Sequence, residues 1–245
     1  MTASAPTILA TSGGLRPGRR TRLEFGPLLH FAVELACVSG RAPRVCYLGT
    51  AGGDQHWYAT LFADAGRVAG VEGVRLDLFP MVSADDPAQL LGDADVVWVG
   101  GGSVANLLAL WRLHELGPAF RAAWEAGVVL AGVSAGSVCW HVGGTTDSFG
   151  PELQPVTDGL GLVPYANGVH YDSEPQRRPL LHRLVADGTL PEAYATDDGV
   201  DLLYRGTELV EAVSEVPGKG AYLVTAVGGV AHEERLEPRL LGGTR

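Results

Sequence analysis

Chemistry in this chain is organised around one serine. Gly132-Val133-Ser134-Ala135-Gly136 has the G-x-S-x-G spacing of a nucleophile elbow, where small residues flank a serine on a sharp strand-to-helix turn. The run before it, Val128 to Ala131, is short, apolar and rich in β-branched residues, the pattern of a strand buried on both faces. A serine in strained backbone geometry needs neighbours without bulk if its Oγ is to stand clear of a sheet. The N–H of Ala135 would then open a helix, placed to stabilise a developing oxyanion. Five residues of this kind also make an ordinary glycine-rich turn, so partners must be found elsewhere.

A serine nucleophile needs a base, an orienting acid and further oxyanion donors. Gly100-Gly101-Gly102 follows a predicted strand, and glycines there let the N–H of Gly101 or Gly102 approach a substrate oxygen. The run fits neither G-x-G-x-x-G nor the P-loop, which speaks against nucleotide binding. Seven histidines are available. His30, His56, His114 and His182 fall in helical patterns, His141 leaves the elbow pointing away from Ser134, and His232 lies in a charged tail. His170 differs, because it ends a short strand-like run, Val163 to Val169, and enters a loop, where open α/β sheets keep catalytic residues. For the acid, Asp147, Asp158, Asp172, Asp197 and Asp198 all lie near loops, and spacing does not choose among them.

The elements that must position these residues alternate regularly. Strands are predicted at Thr7 to Thr11, Arg44 to Leu48, Val74 to Phe79, Asp95 to Val99 and at the elbow. Helices are predicted at Leu28 to Cys37, Trp57 to Ala65, Pro87 to Leu91, after Ser103, and at Pro118 to Glu125. Alternation of this kind predicts one α/β domain over residues 1–245, with a parallel sheet covered by helices on both faces. Val200 to Tyr204, Leu209 to Ser214 and Ala221 to Thr225 read as later, antiparallel strands.

Composition bounds the partners. A net charge of −10 argues against nucleic acid and anionic membranes, and 46% hydrophobic residues suits a substantial core. Cys37, Cys46 and Cys139 sit in apolar surroundings and read as buried free thiols of a reducing compartment. Met1 to Pro6 shows no secretory leader, no apolar run is long enough to cross a bilayer, and no Cys or His spacing suggests a metal. A cytoplasmic protein without cofactor is expected, a monomer or homodimer.

Gly100-Gly101-Gly102 opening a helix, then Gly132 to Ser137, then Thr145-Thr146-Asp147, then Val169-His170-Tyr171, together resemble the peptidase E (aspartyl dipeptidase) family of serine peptidases. Cyanophycinase is a more distant relative. The resemblance runs from the first strand to about Leu223. It implies a three-layer α/β sandwich with a mostly parallel central sheet, similar to class I glutamine amidotransferases, with serine in place of their cysteine. It also implies a small peptide substrate, with Ser134 as nucleophile and His170 as base. Asp198, before Gly199, stands where the dipeptidase has a glutamate, and Asp147 matches a second acid near the elbow. A dipeptidase of this kind needs a cation for an aspartyl side chain, and Arg177 and Arg178 follow His170 closely. Ser103 departs from the asparagine that usually follows the glycines, and Asp172 to Arg178 does not reproduce the stretch that reads the aspartyl substrate. The rival readings are another amide hydrolase, cyanophycinase-like or not, and an inactive small-molecule-binding member of the fold.

Overall fold

Strand and helix alternate through the first half of the chain in the computed structural model, which describes Ala3 and residues 5–242. The leader reading at Met1 to Pro6 therefore falls partly outside the described residues, as do the last three positions of the single-domain reading. The order begins β1 (Thr7–Thr11), β2 (Leu15–Pro17), β3 (Leu23–Phe25), α1 (Pro27–Leu35), β4 (Arg44–Leu48) and α2 (His56–Ala69). It continues with β5 (Glu72–Arg75), α3 (Pro87–Gly92), β6 (Val96–Val99), α4 (Val104–Leu113), α5 (Leu116–Glu125) and β7 (Val129–Val133). Past the elbow come α6 (Ala135–Val138), β8 (Gly143–Thr146), β9 (Gln154–Val156), β10 (Ala166–Gly168) and α7 (Arg177–Ala186). Strands β11 (Ala193–Thr196), β12 (Val200–Arg205), β13 (Glu208–Ser214), β14 (Ala221–Val227), β15 (Val230–Leu236) and β16 (Arg239–Leu240) complete it.

Eight strands form the central sheet in the order β16-β13-β12-β1-β7-β6-β4-β5. Pairing from β1 through β5 is parallel, and β12 and β13 join antiparallel. Period-two alternation sorts the core. Leu9, Val45, Tyr47, Trp98 and Ala131 face α1 and α2, while Ile8, Cys46, Leu48, Val99 and Leu130 face Trp111 of α4 and Phe120 of α5. Both faces are thus buried, as a parallel sheet requires.

A second sheet of six strands, β15-β14-β11-β10-β8-β9, was not legible as a sheet. Its members β8, β9 and β10 have three or four residues each, too few for a periodic pattern. Helix α7 covers it through Leu181, Leu184 and Val185.

Three expectations are corrected. The strand expected at Val74 to Phe79 is Glu72–Arg75, because Asp54 Oδ2 captures the N–H groups of Leu78 (2.7 Å) and Phe79 (3.0 Å) that a ladder would use. Cys37 is exposed rather than buried, in the left-handed turn (φ 53°) that ends α1, while Cys46 and Cys139 are buried free thiols. His232 lies in β15 rather than in a tail. Among the described residues no helix is long and apolar enough to cross a membrane.

Candidate active site

Backbone packing sets the elbow. β7 delivers Ser134 at φ 59°, ψ −112°, which a residue with a side chain adopts only when its surroundings hold it. The Ser134 N–H donates to Thr11 O at 3.0 Å, and its carbonyl accepts from the N–H groups of Ser137 (2.8 Å) and Val138 (3.0 Å). A Cβ at Gly132 would lie 2.5 Å from Gly136 O and 2.7 Å from Val99 O, and one at Gly136 would fall onto Val99 O. Both glycines of the motif are demanded by this approach to β6. Helix α6 has only four residues, so any help from Ala135 rests on its N–H and not on a helix dipole.

The second glycine turn lies against the serine. A Cβ at Gly101 would sit 3.3 Å from Ser134 Cβ, and Gly102 adopts φ +137° where a Cβ would fall onto the Ala51 carbonyl. Ser103 caps α4, its Oγ accepting from the Asn106 N–H at 3.2 Å. Serine and asparagine are both strong N-caps, so the departure at Ser103 keeps the cap.

His170, two residues past β10, also has positive φ (54°). Its N–H donates to Ser12 Oγ at 3.2 Å, and that hydroxyl pairs with Thr196 Oγ1 at 2.7 Å. Ser12 O accepts from the Gly199 N–H at 3.0 Å. His170 Nδ1 lies 2.6 Å from Asp198 Oδ1. A carboxylate accepts there, so Nδ1 carries a proton, and the neutral imidazole is held in the tautomer whose Nε2 lone pair a general base needs. The Asp198 N–H donates to Asp172 Oδ1 at 2.9 Å, and Lys219 Nζ donates to Asp172 Oδ2. Burial disfavours ionising Asp172, but Lys219 and the N–H groups on it outweigh burial and hold the carboxyl below its ordinary value. The same pairing raises the Lys219 ammonium.

Ser134, His170, Ser103, Asp147, Glu174 and Arg177 line one polar cleft of about 320 Å³. Among the described residues no hydrogen bond joins Ser134 Oγ to His170, a contact that in enzymes without substrate is often long. Asp147 is exposed on the turn after β8 and makes no hydrogen bond to His170 among the described residues. Arg177 is buried, donating from Nε to Glu174 (2.8 Å) and from Nη1 to Thr145 O (2.6 Å). Arg178 is turned elsewhere. Its guanidinium lies 4.4 Å from the Tyr171 ring centre and 4.5 Å from that of Tyr222, and it pairs with Glu233.

Sequence reading missed the parts played by Ser12, Asp172 and Lys219. Lys219 is 47 residues from Asp172, beyond any local pattern. One signal was available: it is the single lysine in a chain that otherwise uses arginine. Among the described residues no group of three metal-ligating side chains is assembled.

The family model for Peptidase family S51 matches residues 10–212. The chain is 38% identical over 200 residues to an uncharacterized peptidase, YgaJ, of Bacillus subtilis, covering 82% of this chain and 86% of that one. Peptidase E of Shewanella denitrificans is 28% identical over 149 residues, 57% of this chain and 63% of its own. Two solved structures share the fold. A peptidase from an acI-B1 Actinobacterium superposes with TM-score 0.68 at 19% identity, covering 96% of this chain and 95% of that one. A putative peptidase E from Listeria monocytogenes gives TM-score 0.60 at 18% identity, covering 86% and 99%.

Proposed function

Because the chain belongs to Peptidase family S51, we propose that this serine-type peptidase acts as a dipeptidase on substrates with an acidic N-terminal residue, through Ser134, His170 and Asp198. The observation that carries the reading is the 2.6 Å bond from His170 Nδ1 to Asp198 beside a strained Ser134 on the same cleft. Ser134 Oγ adds to the scissile carbonyl carbon while its proton passes to His170 Nε2. The N–H groups of Ala135 and of Gly101 or Gly102 hold the oxyanion. Collapse breaks the C–N bond, and His170 returns the proton to the leaving amine. Water then releases the acyl group by the same steps in reverse. Arg177 presents a guanidinium to the cleft for the side-chain carboxylate of the N-terminal residue, and Asp147 and Glu174 offer negative charge to its ammonium.

Two measurements test this. Ser134→Ala should fold and lose about 10⁴-fold or more in turnover, together with labelling by a serine-reactive phosphonate. Normal turnover in the folded variant would sink the serine mechanism. Asp-Xaa dipeptides should be cleaved far faster than Asn-Xaa, and Arg177→Gln should erase that preference. Equal rates in the unmodified protein would remove the acidic specificity and leave the peptidase.

A further inference from the structure

A second hollow of about 340 Å³ opens on the other side of the oxyanion turn, lined by Tyr47, Gln55, Trp57, Tyr58, Gly101 and Val133. Its volume suits part of a small ligand. Two of its walls belong to the catalytic apparatus, since Val133 precedes the nucleophile and Gly101 packs against Ser134 Cβ. The rest is aromatic. The rings of Trp57 and Tyr58 meet edge to face at 5.5 Å, and those of Tyr58 and Tyr47 lie 6.1 Å apart. Trp57 is 60% exposed, a large apolar surface left in water, and its indole Nε1 donates to Gln55 Oε1. No residue lining this hollow carries a charge. The contrast with the cleft of Arg177, Asp147 and Glu174 is one of chemistry, not of size.

We infer that the Trp57–Tyr58 hollow is the subsite for the residue on the leaving side of the scissile bond, and that it selects a large apolar or aromatic side chain. The side assignment rests on the proposed function: with the acidic N-terminal residue held by Arg177, the leaving residue extends past Gly101. An aromatic side chain there covers Trp57 and gives up its own hydration shell. A charged one loses solvent without gaining a partner.

Steady-state kinetics on Asp-Phe, Asp-Gly and Asp-Lys, with Asn-Phe and Asn-Gly beside them, test the inference. Asp-Phe should exceed Asp-Gly in kcat/KM by about 10- to 100-fold, carried mainly by KM, with Asp-Lys near Asp-Gly. Trp57→Ala should collapse the Phe-to-Gly ratio at least fivefold, and Trp57→Phe should restore most of it. Trp57 is exposed, so its removal leaves no core cavity, and circular dichroism of both variants checks the fold. Equal rates for Asp-Phe and Asp-Gly, or an unchanged ratio in Trp57→Ala, would overturn the subsite. A Phe preference at the N-terminal position instead would overturn its place on the leaving side. Equal rates for Asp-Phe and Asn-Phe would fail the acidic reading alone, because the Phe-to-Gly ratio is still measured within the Asn series.

Discussion

The two halves of the site are held by different physics. On the nucleophile side, at β6, β7 and the two glycine turns, backbone meets backbone: Gly132, Gly136 and Gly102 each leave no room for a Cβ. On the base side, between β10, β11 and β14, side chains do the holding. His170 leans on Asp198, whose backbone N–H is held by Asp172, itself paired with Lys219. The first arrangement is steric and tolerates no added atom. The second is electrostatic, partly exposed, and can be weakened by degrees.

The sharpest way to break the comparison is at the acid. Asp198→Asn should cost about 10³ to 10⁴ in turnover, because the amide favours the wrong imidazole tautomer. Asp147→Asn, without a bond to His170, should cost less than about tenfold. The reverse ranking, in steady-state assays of both folded variants, would move the orienting role to Asp147.

A smaller effect tests the packed half. His141 lies behind the elbow, Nδ1 donating to Ser137 O (2.9 Å) and Nε2 accepting from Tyr204 (3.2 Å), and burial pushes its imidazole down to about 4. The unfolded chain takes up that proton near its ordinary 6.5, so stability falls as pH drops from about 6.5 to about 4. The loss should reach about 3 kcal/mol at about 1.4 kcal/mol per pH unit. Urea titrations of His141→Gln should show a shallower fall across that window. An unchanged slope would place the acid sensitivity elsewhere.

The smallest effect belongs to the electrostatic half. Lys219→Met should lower kcat about tenfold or less with KM nearly unchanged, as Asp198 loses the support of an ordered Asp172. Asp172 has a depressed carboxyl, so its contribution is present above its unfolded value and lost as pH falls through the folded one. Removing Lys219 should lower stability at neutral pH by less than about 1 kcal/mol after screening, and shrink the share of the acid-induced loss that Asp172 contributes. Wild-type kcat and an unmoved acid limb of stability would reduce Lys219 to a surface charge.

Legibility in the sequence followed the same division. Buried strands such as Val96–Val99 and the glycine spacing about Ser134 were readable because the constraint is local: one stretch of chain must be apolar, or small, for its own geometry. His170 was picked out by its place after a strand, whereas Asp198 came from family resemblance, since five aspartates were equivalent by spacing. The Asp172–Lys219 pair carries no local signal at all. The stretch Leu76 to Phe79 misled because Leu76 and Leu78 alternate into the core without belonging to a strand. Arg177 and Arg178 are adjacent with similar composition around them, and only packing sends one to the cleft and the other between two tyrosines.

Strand β1 lends no side chain to the chemistry, yet it gauges the site. Thr11 holds the backbone of Ser134, and Ser12 holds that of His170 through its hydroxyl and that of Gly199, next to Asp198, through its carbonyl. Two consecutive residues therefore act as a jig: the spacing of three segments from two sheets is copied from the fixed length between neighbours in the chain. A residue inserted between Thr11 and Ser12 would leave each segment intact and throw all three out of gauge.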